Sequence, residues 1–296
     1  MLLAAITSMP ELVTGVSSVA LVGLPDLAMG TLLGSCLLNL AIIAVMDILY
    51  RPGPILSQVS LRHVASAVAG ILLIALAAGG ILAREWLSGL VLGWLGITSI
   101  IILILYLVAV RQISRFERGY QAPALPASSL RYEGSSTKAV WFKFALAAAG
   151  VIGAGIWLSF VGREIAETTG WDTSFVGSLF LAISTSMPEL VVTIAALRLG
   201  AVDMAVADIL GSNMFNIAII LPVDLAYTQA PILSSSSPVH LITAVLAIAM
   251  SLIVIVALRF RQQRKTFFVI SWYGLVLIGL YILGAYALFI SGAGLR

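Results

Sequence analysis

The chain has 296 residues, of which 61% are hydrophobic and 10% charged, and its mean hydropathy is +1.11. Soluble domains carry about a quarter charged residues, so this composition excludes an ordinary soluble domain and indicates an integral membrane protein. The net charge of +3 does not argue for a nucleic-acid partner, because the basic residues lie between apolar runs. The single cysteine, Cys36, excludes an internal disulfide and is interpreted as a small side chain at a helix contact.

Apolar runs of about 20 residues, enough to cross about 30 Å of hydrocarbon as helix, recur along the whole chain. Because the runs are continuous and do not alternate, they favour helices over a β-barrel. The sequence therefore predicts an all-α integral membrane protein. Nine transmembrane helices are predicted near residues 1–22, 27–48, 64–83, 86–110, 139–161, 173–197, 202–224, 238–258 and 267–290.

The basic residues predict the orientation of these helices. With residues 112–138 on the cytoplasmic side, 13 of the 16 Lys and Arg residues lie inside, and Arg84, Arg163 and Arg296 lie outside. Residues 112–138 are polar and rich in proline, serine and glycine, which predicts a flexible cytoplasmic linker. The short linker and the lack of appended domains favour a prokaryotic inner membrane.

One sequence unit occurs twice. The string Thr-Ser-Met-Pro-Glu-Leu-Val covers residues 7–13 and 185–191, and a Gly-Ser-x-x-x-Asn string follows at 34–39 and 211–216. The spacing from the glutamate to the next glycine differs by a single position between the two copies. With the predicted orientation the two copies run in opposite directions through the membrane, which is typical of secondary transporters.

This duplication predicts a first repeat at 1–111, the linker at 112–138 and a second repeat at 139–296. The second motif follows a full helix at 139–161, whereas only Met1 to Ile6 precede the first motif. If the halves correspond, the first lacks the start of one helix and the whole helix before it. We expect the natural chain, or its ancestor, to begin further upstream; a naturally shortened form is the alternative.

The residue types in the repeated strings favour a cation site. Pro10 and Pro188 each remove a backbone donor, which leaves carbonyl oxygens near the two threonines without helical partners. Hydroxyls, amides and two buried acids supply the hard oxygens that Ca²⁺ prefers and Na⁺ also accepts, and no thiolate or histidine cluster suggests zinc or copper. The predicted ligands are Thr7, Ser8, Glu11, Ser35, Asn39, Thr185, Ser186, Glu189, Ser212 and Asn216.

Two simpler interpretations are weighed against this site. Membrane prolines often only kink a helix, and serine, asparagine and glycine often only join helices.

The charge of the predicted site limits the number of transported ions. Two glutamates and two asparagines give a charge of about −2, so a third Na⁺ would be uncompensated in a low-dielectric site. The sequence therefore predicts weaker sodium coupling than in a site that holds a third acid, or tolerance of a proton as counter-ion.

These motifs resemble those of the calcium/cation antiporter superfamily, the family of sodium/calcium exchangers, over most of the chain. The pattern in that family is Gly-Thr-Ser-x-Pro-Glu, followed by Gly-Ser-Asn-x-x-Asn or Asp. The resemblance implies ten helices in two inverted halves, alternating access by sliding of the first helix of each half, and a diamond of central cation sites. It also implies that Glu11 and Glu189 are shared by Ca²⁺ and Na⁺, with the serines and asparagines completing the flanking sites. The chain departs from the pattern because no glycine precedes Thr7 or Thr185, and because residue 216 is Asn where some members have Asp.

Several polar residues lie outside the motifs. Asp47 and Asp224 each follow the motif asparagine by eight positions and are predicted to be either vestibule acids or interfacial carboxylates. Asp208 lies deeper, and the sequence does not identify its partner. His63 and His240 are predicted to be solvated groups in loops or at helix ends.

We therefore interpret the chain as a secondary antiporter exchanging Ca²⁺ for Na⁺, and not an enzyme; no ATP-binding motif is found. No resident cofactor is predicted, and the partners are the lipid bilayer and the transported cations. The alternatives are a Ca²⁺/H⁺ antiporter and a non-transporting membrane scaffold or inactive truncated copy. A channel suits inverted kinked repeats less well. The sequence does not predict the oligomeric state.

Overall fold

A computed structural model describes residues 2–87, 89–118 and 137–293, and these are mostly helical. The predicted all-α membrane architecture is confirmed. The helices are α1 Leu2–Thr7, α2 Met9–Ala20, α3 Pro25–Leu49, α4 His63–Leu82, α5 Arg84–Leu87, α6 Ile97–Arg118, α7 Thr137–Thr169, α8 Thr173–Val176, α9 Ala182–Thr185, α10 Met187–Arg198, α11 Val202–Ala218, α12 Ile220–Ala226, α13 Ile232–Ser235, α14 His240–Phe260 and α15 Trp272–Ala293. A 3₁₀ turn at Ile55–Ser57, a π-helical turn at Gly177–Leu181 and the strands β1 Val91–Leu92 and β2 Leu95–Gly96 complete the order.

Helices α3 and α11 form the centre of the molecule. In the spans Pro25–Leu49 and Val202–Ala226, the second of which also includes α12, 78% of the most apolar stretch is buried, compared with 22% in α6 and α15 and 12% in α7. The outer helices are as apolar as the inner ones, so they expose hydrophobic side chains all along their outer faces. Such surfaces suit hydrocarbon, because lipid tails solvate them without cost.

The predicted number of nine helices is not confirmed. In the described part of the chain, seven helices are long and apolar enough to cross a membrane, or eight if the bent pair formed by Thr173–Thr185 and Met187–Arg198 counts as one span. The remaining predicted span, residues 1–22, consists of α1 and α2, which are separated at Ser8. Each of these two pieces is too short to cross a bilayer by itself.

The helix predicted at 86–110 is wrong in its first third. Helix α5 ends at Leu87, and a hairpin follows in which Val91 pairs with Gly96 and Leu92 with Leu95. Gly93 turns this hairpin with φ +69°, a backbone angle that favours glycine. The apolar run is continuous here, but its closely spaced glycines end one helix and delay the start of the next until Ile97.

Two other boundaries differ from the prediction. The last helix begins at Trp272 instead of 267, because Phe267 and Ile270 form an isolated β-bridge just before it. Helix α6 continues to Arg118 and α7 begins at Thr137, so both extend into the predicted linker. The rest of that linker, residues 119–136, lies outside the described residues.

Close backbone contact joins α3 to the α8–α9 segment of the other half. A Cβ atom added at Gly34 would overlap the carbonyl oxygen of Ser178, and one added at Gly30 would lie 2.8 Å from the carbonyl oxygen of Ser174. Gly177 meets α3 in the same way, since a Cβ there would lie 2.5 Å from the carbonyl oxygen of Leu27. Glycine at these positions therefore allows two backbones to approach closely in the centre of the molecule.

Replacing Gly34 with alanine is expected to destabilise the protein by about 1–3 kcal/mol, because backbone atoms have to move apart to admit the methyl group. The melting temperature of the purified protein in detergent measures this change. Gly79→Ala is the matched control, since nothing lies within 4 Å of a Cβ at that helical glycine. Equal melting temperatures for the two variants would show that the close approach is unimportant.

Candidate cation site

The two motif segments adopt the same broken-helix geometry. The helix breaks at Ser8, with φ −86° and ψ 14°, and at Ser186, with φ −87° and ψ 10°. The pieces on either side of Ser186 differ in direction by 41°. Pro10 and Pro188 cause these breaks, because each falls in the first turn of the second piece, where its missing N–H interrupts the ladder from the first piece.

The two glutamates are held by hydroxyls from the opposite half. Ser8 Oγ donates to Glu189 Oε1 at 2.8 Å, and Ser186 Oγ donates to Glu11 Oε1 at 2.8 Å. The exchange is reciprocal, as expected for two inverted copies related by a pseudo-twofold axis. Both carboxylates are 0% exposed, so the two motifs together form one buried acidic centre.

Helices α3 and α11 complete this centre. Ser35 Oγ lies 3.3 Å from Glu11 Oε1 and 3.4 Å from Thr185 Oγ1, and Ser212 Oγ lies 3.4 Å from Thr7 Oγ1. The Ser35–Thr185 and Ser212–Thr7 contacts are again equivalent across the two halves. Asn39 and Asn216 each lie one turn further along the same helix face as the serine.

Several polar atoms in this centre lack a hydrogen-bond partner within the described part of the chain. They are Oε2 of both glutamates and the Oδ1 and Nδ2 atoms of Asn39 and Asn216. A buried carboxylate oxygen without a donor is costly, so an ion or water is needed to satisfy it. The unpartnered oxygens have the hard-ligand chemistry that Ca²⁺ and Na⁺ require.

All ten predicted ligands are therefore buried, and direct hydrogen bonds connect eight of them. The structure does not link the two asparagines by hydrogen bonds, and the role of all ten residues as ligands stays a prediction. Across the described ranges no group of three or more histidine, cysteine, aspartate or glutamate residues could hold a metal ion. The buried centre instead offers a mixture of hydroxyl, amide and carboxylate oxygens to a cation.

Asp47 is a buried anchor, and both predicted roles for it are wrong. It is 0% exposed and accepts hydrogen bonds from Ile55 N at 3.0 Å, Ser271 N at 2.7 Å, Ser271 Oγ at 3.1 Å and Tyr273 Oη at 2.5 Å. Lys265 Nζ donates to its backbone carbonyl, and burial lowers the pKa of Lys265 although the charge of Asp47 acts to raise it. The carboxylate therefore ties the first half to the start of α15.

Asp224 is the equivalent anchor in the second half. It is also 0% exposed, and it accepts from Gly96 N at 3.0 Å, Ser99 Oγ at 2.6 Å and Ile232 N at 2.6 Å. A vestibule acid or an interfacial carboxylate would face water, but each of these two is enclosed by donors from both halves. Asp47 and Asp224 could be paired from the sequence because each follows its motif asparagine by eight positions. Their hydrogen-bond donors could not be identified in this way, since several of them come from the other half of the chain.

The two histidines lie at helix starts, as predicted, but the prediction that they are solvated is wrong. His63 Nε2 lies 2.8 Å from Asp203 Oδ1, and His240 Nε2 lies 3.1 Å from Asp26 Oδ1. The two imidazoles are 2% and 0% exposed. The same aspartates accept backbone N–H groups of Ser60 and Ser237, so each half holds the first turn of the other's central helix.

These pairs reveal how far the duplication extends. One constant offset in residue number relates the first member to the second in three pairs: Asn39 and Asn216, Asp47 and Asp224, and His63 and His240. Asp26 and Asp203 have the same offset, and the sequence interpretation did not use it. That offset, called the repeat offset below, is the signal that could have identified the histidine–aspartate pairs before the structure was known.

Two inverted repeats with broken helices and a buried acidic centre between them are the architecture of a secondary transporter. The family model for the sodium/calcium exchanger protein matches residues 1–111 and 139–290. The chain belongs to that family, and the resemblance based on the motifs is confirmed.

Two curated relatives are similar over part of their length. The inner membrane protein YrbG of Escherichia coli is 30% identical over 226 residues, which cover 73% of this chain and 64% of the relative. The sodium/calcium exchanger MaX1 of Methanosarcina acetivorans is 34% identical over 154 residues, or 51% of this chain and 41% of the relative. The matched regions thus span less than two thirds of these relatives.

A solved structure supports the fold. The sodium-calcium exchanger NCX_Mj is similar with a TM-score of 0.59, covering 97% of this chain and 84% of that one, at 20% sequence identity. This likeness confirms the inverted-repeat exchanger fold.

Proposed function

We propose that the protein is a secondary antiporter that exchanges Ca²⁺ for Na⁺ at the site between Glu11 and Glu189. The observation that supports this most is the reciprocal pair of bonds from Ser8 to Glu189 and from Ser186 to Glu11. Each bond uses one carboxylate oxygen and leaves the other buried without a partner in the described chain. Two such oxygens from opposite halves offer a divalent cation a neutralising pair.

The charge of the site limits the cargo to one divalent or two monovalent ions. Both glutamates ionised give about −2, and Asn39 and Asn216 add oxygens without charge. A further monovalent ion would be uncompensated where the dielectric constant is low. We infer weaker sodium coupling than in a site that holds a third acid, and a sodium dependence of third order would contradict this inference.

The burial of the site supports alternating access. None of the ten predicted ligands is more than 4% exposed, so ions reach the centre only when surrounding helices move. Among the candidate membrane spans of the described residues, helix α7 is the least buried, and it packs on α2 through Gly155, whose Cβ position lies 2.9 Å from Val13 Cγ1. Ser159 Oγ also donates to the carbonyl of Thr14 at 3.1 Å. We propose that α7 slides across this contact during transport.

A disulfide across the contact is expected to stop transport. In a Cys36→Ala background, Val13→Cys with Gly155→Cys would place two thiols together, since the Cβ atoms are 3.1 Å apart and a shift of a few tenths of an ångström reaches disulfide geometry. Calcium uptake should fall at least tenfold on oxidation and recover on reduction. Each single-cysteine variant is the control, and full transport by the cross-linked protein would rule out sliding at this contact.

The experiment that tests the function is calcium-45 uptake into proteoliposomes under an imposed sodium gradient, and separately under a proton gradient. Uptake that requires internal sodium supports the proposed exchange. Uptake that follows only the proton gradient would establish a Ca²⁺/H⁺ antiporter instead, with the glutamates carrying the protons. No uptake under either gradient would favour a non-transporting scaffold or an inactive copy.

We further propose that residues 1–111 and 139–296 act as the two exchanger repeats, with residues 112–138 as the cytoplasmic linker. A prokaryotic inner membrane is the proposed location, which agrees with the inner membrane protein of Escherichia coli among the relatives. Accessibility of single cysteines placed at Arg115 and Arg163 to a membrane-impermeant reagent would test this orientation. The first should react from the cytoplasmic side and the second from the other side.

A further inference from the structure

Asp208 is a buried acid with no counterpart in the other half. It is 2% exposed, and within the described residues neither of its carboxylate oxygens has a hydrogen-bond partner. The repeat offset places Thr31 at the equivalent position of the first half, and its hydroxyl donates to the carbonyl of Leu27 at 2.8 Å. At this position the first half therefore has a neutral side chain with a hydrogen-bond partner, Thr31, and the second half has a carboxylate without one, Asp208.

The other buried aspartates show that this is unusual in the same fold. Asp47 accepts four hydrogen bonds and Asp224 accepts three. A buried carboxylate that only stabilises the fold needs such donors, because a buried charge without them is costly. Asp208 has no such donor among the described residues, so hydrogen bonds of the kind that hold the other two aspartates do not account for its burial.

Asp208 also lies next to the cation site. It precedes Ser212 by four positions on α11, about one helical turn or 6 Å along the axis, and so shares a face with Ser212 and Asn216. The site therefore has an additional acid on one side only, towards the start of α11.

We propose that Asp208 forms an accessory cation site on the path between the central site and the membrane face at which α11 begins. This inference rests on the proposed cation exchange. A cation leaving the centre towards that face meets a carboxylate one turn away, whereas a cation leaving towards the opposite face meets Thr31. The accessory acid concentrates Na⁺ or Ca²⁺ at one entrance, and the exchanger is then asymmetric in affinity although its central ligands are symmetric.

The position of Asp208 leaves the central charge count unchanged. The ions bound between Glu11 and Glu189 are still limited by two charges, because the accessory carboxylate lies a full turn outside them. Its effect is therefore expected in the calcium concentration that half-saturates transport from one face, and not in the order of the sodium dependence. The basic residues predict that the affected face, where Arg198 lies, is cytoplasmic.

Side-specific transport kinetics test this proposal. In oriented vesicles, Asp208→Asn should raise the half-saturating Ca²⁺ concentration roughly five- to tenfold from the face at which α11 begins, and leave it unaltered from the other face. Asp208→Thr, which copies Thr31, should have the same effect. The mirror variant Thr31→Asp should lower the half-saturating concentration from the opposite face.

Each result has one meaning. An equal change from both faces, or no change from either, would overturn the proposal; in the first case Asp208 would be a central ligand. Folding is checked by the elution profile and melting temperature, and Asp208→Asn should melt no lower than the wild type because no donor loses its acceptor. If the wild type exchanges cations and the variants match it, only the accessory site fails. If the wild type exchanges none, the proposed function fails as well.

Discussion

Glu189→Gln is expected to lower calcium affinity by at least about 100-fold, and Glu11→Gln by a similar factor. Removing one charge from a buried, compensated ionic site costs about 3–5 kcal/mol, and each 1.4 kcal/mol corresponds to a factor of about ten. Isothermal titration of the purified protein with Ca²⁺ measures the change directly. Because the two glutamates occupy the same position in the two motifs and accept matching bonds from Ser8 and Ser186, the two variants should be impaired alike.

Two controls accompany this prediction: a check that the central variants fold, and the same substitution at a glutamate far from the site. Glutamine retains the acceptor for Ser8 Oγ or Ser186 Oγ, so both variants should elute and melt as the wild type does. Glu167→Gln, in the exposed ion pair with Arg163, should bind Ca²⁺ normally. If either central variant retained wild-type affinity, that glutamate would not be a cation ligand.

Asp47→Asn is expected to destabilise the protein by about 3 kcal/mol, and Asp224→Asn by a similar amount. Hydrogen bonds to a charged acceptor are worth about 1.5–3 kcal/mol each, and the amide group of asparagine would point a donor at Ser271 N or at Gly96 N. A loss of this size should lower the melting temperature in detergent by roughly 5–10 °C.

Asp208→Asn is the matched control for the anchors, since it makes the same chemical change at a buried aspartate without described donors. The three variants together separate two kinds of buried acid. The anchors should lower stability and leave the calcium affinity of the folded fraction intact. An anchor variant that melts like the wild type but binds Ca²⁺ weakly would restore the vestibule interpretation.

The central part of the site was predictable because its chemistry is local and occurs twice. A proline followed by glutamate in an apolar run fixes the break at Ser8 and again at Ser186, and the serine–asparagine spacing places the other predicted ligands on one helix face. Inversion of the repeats followed from the positions of arginine and lysine. Which hydroxyl meets which acid was not predictable, since the bond from Ser8 to Glu189 joins residues in opposite halves of the chain.

The anchors and the histidine pairs could not be derived in the same way. A carboxylate near a helix end has the same local sequence whether it faces water or donors, and Asp47 in the first half finds most of its donors on Ser271 and Tyr273, near the other end of the chain. Likewise, an apolar run such as 86–96 gives no sign that its glycines form a hairpin, because hydropathy does not report backbone angles. Tertiary partners decide these features, and the repeat offset only shows that they occur in pairs.

In the proposed function, a transported cation binds between the two motif glutamates, Glu11 and Glu189. Anomalous diffraction from crystals of the protein soaked with Sr²⁺, used as a probe for Ca²⁺, tests it most directly. We predict an anomalous peak within coordination distance, about 2.3–2.6 Å for Ca²⁺, of the Oε2 atoms of Glu11 and Glu189, and no such peak in Glu189→Gln crystals. A strong peak elsewhere in the membrane region, with none between the glutamates, would contradict it.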